Sequence, residues 1–95
     1  MMNDEEFEWD ERKAENNLAK HRVSFEMARG AFSDAFVIEF VDESRNYGEE
    51  RFNLIGMSDG RLLFVTYAMR GDKTRIISAR RAEPLERRRY HEGQF

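Results

Sequence analysis

The chain has 95 residues, 16 of them Lys or Arg and 19 Asp or Glu, for a formal charge of −3; that length fits one small domain, and that charge opposes strong non-specific binding to polyanions. Cysteine is absent and the histidines are His21 and His91, which excludes a disulfide framework, a thiolate metal site and a thiol nucleophile, and disfavours a histidine-rich zinc site. No apolar stretch approaches a membrane span and the N-terminus is acidic rather than signal-like, so a soluble cytoplasmic protein without membrane contact or cofactor is expected.

A single domain over residues 1–95 is expected, with 1–6 as a disordered acidic tail. Phe7-Glu8-Trp9-Asp10 alternates apolar and acidic residues, as a short half-buried strand does. Asp10 suits the N-cap of a helix through about Lys20, with Ala14 and Leu18 on one face at i,i+4. Ser24 caps a second helix in which Phe25, Ala28 and Phe32 recur at helical spacing, so Lys20, His21 and Arg22 fall at the corner of a helical hairpin. The period then changes. Phe36–Val41 reads as a strand from its β-branched and aromatic content, and Asp42–Gly48 as a polar loop. Glu50–Met57 is the next strand, Ser58-Asp59-Gly60 supplies hairpin residues, and Arg61–Met69 is the most strand-like run. Arg70-Gly71-Asp72-Lys73 turns the chain into a strand over Thr74–Arg81, and Pro84 opens a terminal helix to about Tyr90. The order predicts an α+β domain: two N-terminal helices and a C-terminal helix packed on one face of a mainly antiparallel four- to five-stranded sheet.

Charge is unevenly spread along this order. The first eleven residues carry six acidic groups and no basic one, whereas Arg70–Glu92 carries eight basic groups against four acidic. A positive face can therefore coexist with a negative total. Within the basic segment, Arg75-Ile76-Ile77-Ser78-Ala79-Arg80-Arg81 sets guanidinium forks on a strand, where they match phosphate geometry and keep their charge. A nucleic-acid backbone is the ligand this suggests. Arg87, Arg88 and Arg89 read as the solvated face of the last helix. Strict alternation would point Arg75, Ile77, Ala79 and Arg81 one way and Ile76, Ser78 and Arg80 the other. Arg80 and Arg81 then cannot both reach one phosphate unless the strand ends or bulges.

Several segments, in order, resemble the BrnT family of ribonuclease toxins from type II toxin–antitoxin modules, which is similar in fold to RelE. They are Phe7-Glu8-Trp9-Asp10, Asn17 through Glu26, Glu49-Glu50-Arg51-Phe52, Ile55-Gly56, Val65-Thr66-Tyr67 and Arg75 through Arg81. The resemblance implies an RNA-cleaving toxin that halts translation. It also implies a hetero-oligomer with a BrnA-like ribbon-helix-helix antitoxin, and contact with DNA only through that partner. One position departs from the family pattern: Arg22 stands where a glycine usually follows the Lys-His pair. A left-handed helix end costs a non-glycine residue roughly 1 kcal/mol, so Arg22 either tolerates that strain or alters the corner.

Metal-free RNA cleavage needs a group to accept the 2′-hydroxyl proton, charge on the phosphorane, and a proton for the leaving 5′-oxygen. Arginine suits the second task because its pKa is too high for easy proton transfer. Histidine suits the first or third. These requirements select His21 as acid or base with Lys20 beside it, and Arg51, Arg75 and Arg80 on the phosphate, with Arg81 as the alternative to Arg80. Tyr67 is a candidate for donating a hydrogen bond to substrate or stacking on a base. Glu50 has two readings, a base or a surface ion pair, and Arg51 could pair with Glu49 or Glu50. Trp9 reads as core or as a wall of the cleft, and His91 is discounted. The competing function is a catalytically degenerate toxin that only binds antitoxin and helps autoregulate its operon; a DNA-binding regulator lacks any matching motif.

Overall fold

A computed structural model describes residues 6–44 and 48–93. The expected acidic tail lies outside these residues except for Glu6, as does the middle of the polar loop. The chain runs β1 (Phe7–Glu8), α1 (Glu11–His21), α2 (Phe25–Ala31), β2 (Ile38–Val41), β3 (Arg51–Ser58), β4 (Arg61–Arg70), β5 (Lys73–Arg81) and α3 (Pro84–Glu92). Each helix begins where its capping residue directs. The Lys13 N–H donates to the Asp10 carboxylate at 3.0 Å, the Met27 N–H donates to Ser24 Oγ at 3.0 Å, and the Glu83 N–H donates to Glu86 at 2.8 Å.

The five strands form one sheet in the order β1-β5-β4-β3-β2. All neighbours are antiparallel except β1 and β5, where Phe7 lies beside Thr74 and Glu8 beside Arg75. Between β4 and β5 the register slips: Thr66 faces Ser78, but Tyr67 faces Ile76. Ile77 is thus the extra residue of a β-bulge, and the bulge inverts the alternation expected past it. Ile76 and Ala79 are both buried in the helix-covered core, so Arg81 lies on their side while Arg75, Ser78 and Arg80 share the other.

The two faces are covered differently. On one, α1 and α2 pack over Leu54, Leu63, Val65, Tyr67, Ile76 and Ala79, with Val23 and Phe25 filling the corner. The approach of α2 to β3 is close: a Cβ at Gly56 would sit 2.7 Å from the Ala31 carbonyl oxygen. On the opposite face, Tyr90 of α3 closes a smaller cluster with Ile55, Leu62 and Ala82. The terminal helix therefore does not join the other two, as the expected single-faced packing required; the even-numbered apolar residues of β4 give it a second apolar patch. Asp34 fastens it there, accepting the Tyr90 hydroxyl at 2.6 Å and the Met57 N–H at 2.7 Å.

The inner face of α1 also differs from the Ala14–Leu18 stripe. Leu18 is 48 % exposed, and Asn17 is 8 % exposed. Asn17 Nδ2 donates to the Val23 carbonyl at 2.9 Å and the Ala79 carbonyl at 2.8 Å, and the Ala79 N–H donates back to Asn17 Oδ1 at 3.1 Å. One side chain thus satisfies the free edge of β5 where β1 no longer reaches.

Candidate active site

The sheet face that receives α3 carries three successive rows of side chains, each crossing β3, β4 and β5, and α3 covers only the third. Arg51 pairs with Ala68, and Ala68 with Arg75, so the two arginines flank one small residue. Two strand spacings separate their Cα atoms by about 9–10 Å, within reach of two converging guanidinium groups. Ala68 between them is 1 % exposed. The next row is Asn53–Thr66–Ser78 and the third is Ile55–Phe64–Arg80. Rows are about 7 Å apart along the strands.

Carboxylates already hold these forks. Glu8, brought opposite Arg75 by the parallel β1 pairing, accepts from Arg75 Nη1 at 3.4 Å and lies 3.8 Å from Arg70 Nε. Arg51 lies 3.5 Å from Glu49, the partner its sequence neighbours suggested. The middle row is a fixed polar network, with Thr66 Oγ1 donating to Asn53 Oδ1 at 2.8 Å. At its rim, Asp42 is held below the usual carboxylate range, first by the Ser44 hydroxyl and N–H, with smaller contributions from the Asn53 amide and the Arg51 guanidinium. Anchored arginines beside a preset network need little reorganisation when an anion arrives.

His21 and Lys20 end α1, the helix that packs on the other face beside the β5 edge. They line a groove of about 250 Å3 along the β5 edge, whose floor is Ile77 and Ser78. Ser78 belongs to the middle row, one row from the arginine pair. The corner that carries His21 is intact. Arg22 adopts the left-handed conformation, φ 59° and ψ 30°, and its N–H closes α1 on the Leu18 carbonyl at 2.9 Å. Arg22 tolerates the strain that a glycine would avoid.

The remaining candidates divide. Arg80 shares the open face, but its fork is engaged by both Glu86 oxygens at 2.8 Å each, and it covers the Phe64 ring at 4.4 Å. Arg81 is exposed on the helix-covered side, in register with Leu63. Tyr67 is buried there too, stacked on Phe52, with its hydroxyl donating to Glu39. Burial, then the Glu39 carboxylate, raise its pKa. Trp9 packs edge-on against Phe25 in the same core. Tyr67, Trp9 and Arg81 are therefore separated by the sheet from Arg51 and Arg75. Glu50 is exposed beside Arg51 at the start of β3. His91 packs against Tyr90 near the end of α3. Sequence reasoning overlooked Asn17, Asn53, Thr66 and Ser78. Polar residues at the alternate positions of Asn53 and Thr66 were the available signal for the middle row.

Among the described residues, no three His, Asp or Glu side chains converge as ligands for a metal ion would, and no helix is long and apolar enough to cross a membrane. A small α+β sheet presenting paired arginines defines an anion-binding class of surface. The family model described as "Ribonuclease toxin, BrnT, of type II toxin-antitoxin system" matches residues 9–86, and the chain belongs to that family. It is a ribonuclease toxin whose partner is an antitoxin protein. A comparison with curated proteins gave no match.

Proposed function

We propose that this toxin cleaves RNA in the cytoplasm without a metal ion, using the open face of the sheet, and thereby stops translation. Arg51 and Arg75 grip the scissile phosphate and take up the charge that grows on it in the phosphorane. His21 carries one of the two protons that move, and Lys20 adds positive charge beside it. Arg80 is assigned to the framework, since a phosphate would have to displace Glu86 to reach it. The observation that supports this reading is the shared row of Arg51 and Arg75, with His21 lining a groove that also includes Ser78 of the next row. The arginines supply charge for the phosphorane and His21 moves one proton, while the other exchanges with water, so the proposed step needs no metal-bound group.

Neutralisation then requires a protein that covers this face. A BrnA-type ribbon-helix-helix antitoxin would form a hetero-oligomer over part of the arginine row and bring the toxin to DNA only indirectly. The test is cleavage of RNA by purified protein in EDTA. Wild type should cut, and His21→Ala and Arg75→Ala should each lose at least about tenfold, a threshold set below the roughly hundredfold lower end of what acid–base or electrostatic groups supply. Activity that needs Mg²⁺, or that survives both substitutions, contradicts the mechanism.

A further inference from the structure

The two sides of α1 carry opposite charge. One borders a cleft of about 510 Å3 lined by Glu8, Glu11 and Glu26 with Arg29. The other borders the β5-edge groove, whose lining includes Lys13, Asn16, Lys20 and His21 and contains no carboxylate. Lys13, Asn16 and Lys20 recur at i, i+3 and i+7, one stripe along the helix. Neither lysine forms an ion pair among the described residues. Asp10, at the start of the same helix, is exposed and accepts the Lys13 N–H as the cap. Its carboxyl is lowered mainly by that backbone bond, with the Lys13 and Arg75 charges as smaller causes. Both cations therefore act on the same cap, between the arginine row and the groove's lining. β1 leaves the floor at Ile77 and Ser78 uncovered, since it pairs with β5 only at Thr74 and Arg75.

We propose that this groove holds the backbone of single-stranded RNA beside the scissile step, with Lys13 on a flanking phosphate and Asn16 hydrogen-bonding a backbone oxygen. The stripe from Lys13 to Lys20 spans about 10 Å, the rise of roughly three stacked nucleotides. A groove between a helix and a sheet edge follows one flexible strand, whereas a duplex would present a rigid A-form surface. This inference rests on the ribonuclease reading and extends the site to two residues outside it.

The experiment compares wild type with Lys13→Gln and with Lys73→Gln, which removes the same charge outside the groove. Binding of a non-cleavable 2′-O-methyl single-stranded oligonucleotide is followed by fluorescence anisotropy across salt concentrations, alongside the duplex of the same sequence. Lys13→Gln should weaken single-strand binding about fivefold and flatten the salt slope by about 0.7; in cleavage its loss should fall on KM rather than kcat. Lys73→Gln should track wild type, and the duplex should bind more weakly. A Lys13→Gln protein that matches Lys73→Gln in affinity and slope overturns the proposal, as does tighter binding of the duplex. Wild type that binds through Lys13 yet never cleaves would support the groove and remove the ribonuclease reading. Cleavage with an unchanged Lys13→Gln KM would do the reverse.

Discussion

Replacing Asn17 by alanine should cost the fold far more than replacing the leucine beside it. The amide makes three hydrogen bonds, to the Val23 carbonyl and to both backbone groups of Ala79. Asn17→Ala strands two carbonyls and one N–H at a helix–sheet junction. A buried unsatisfied polar group costs about 1–3 kcal/mol; three near the lower end give about 3 kcal/mol. For a domain of this size that corresponds to a fall in Tm of about 12–24 °C. Leu18→Ala, at a position 48 % exposed, should stay within about 0.5 kcal/mol of wild type. Asn17→Asp is the sharper variant: it keeps the shape but faces two carbonyls with an acceptor, so it should be worse than alanine at neutral pH and partly recover on acidification. Calorimetry gives the Tm values, and hydrogen exchange at the Ala79 N–H reports the strap locally. A Tm shift below about 4 °C for Asn17→Ala, with Ala79 still protected, would show that another partner holds this edge and that the amide is incidental.

Three further outcomes follow from the structure. Arg22→Gly should raise stability by about 0.5–1 kcal/mol, because relief of the left-handed strain exceeds the extra freedom glycine gives the unfolded chain; chemical denaturation measures it, and a loss of stability would mean that the Arg22 side chain contributes more than its strain costs. Arg80→Met should destabilise by about 1–2 kcal/mol by leaving half-buried Glu86 without its partner, while cleavage per folded molecule stays near wild type; a tenfold drop at unchanged fold would return Arg80 to the phosphate. Acid should loosen α3. Burial pushes the Asp34 carboxyl up, but the bonds from the Tyr90 hydroxyl and the Met57 and Phe36 N–H groups outweigh it and leave the pKa lowered. Glu86 is likewise lowered, Arg80 overcoming its burial. Folded values below unfolded ones mean that the unfolded chain binds more protons in between, so this stability is present above the ordinary carboxyl range and lost as pH falls through the folded values. Thermal melts from pH 7 to pH 2.5 should show the decline, and Asp34→Asn should flatten it.

Much of the fold was legible because local signals agreed with the tertiary structure. Asp10, Ser24 and Pro84 mark helix starts by chemistry that needs no distant contact, and the strands announce themselves by composition. The side on which α3 packs was not legible, since Tyr90 carries no mark of which sheet face will receive it. The inner face of α1 was misread for a related reason. Leu18 is the apolar choice, but the free edge of β5 needs hydrogen bonds, and an amide wins that position. For the site, Arg51, Arg75, Lys20 and His21 were named by their chemistry. Their arrangement depended on the bulge at Ile77, and Ile76-Ile77-Ser78 contains no glycine or other sign of one. That single extra residue brings Arg75 and Arg80 to one face and sends Arg81 to the other. Tyr67 could be read as packing or as a substrate contact, and its phase on β4 places it in the core under the helices.

The central claim is that RNA is cut by its own 2′-hydroxyl on the Arg51–Arg75 row with His21 moving a proton. The chemistry of the product ends tests this most directly. A synthetic RNA cleaved in EDTA should give an upstream fragment ending in a 2′,3′-cyclic phosphate or its 3′-phosphate and a downstream fragment with a 5′-hydroxyl. The same RNA with one 2′-deoxy nucleotide at the cut should resist. Products ending in a 3′-hydroxyl and a 5′-phosphate, or cleavage at the deoxy position, would contradict the account.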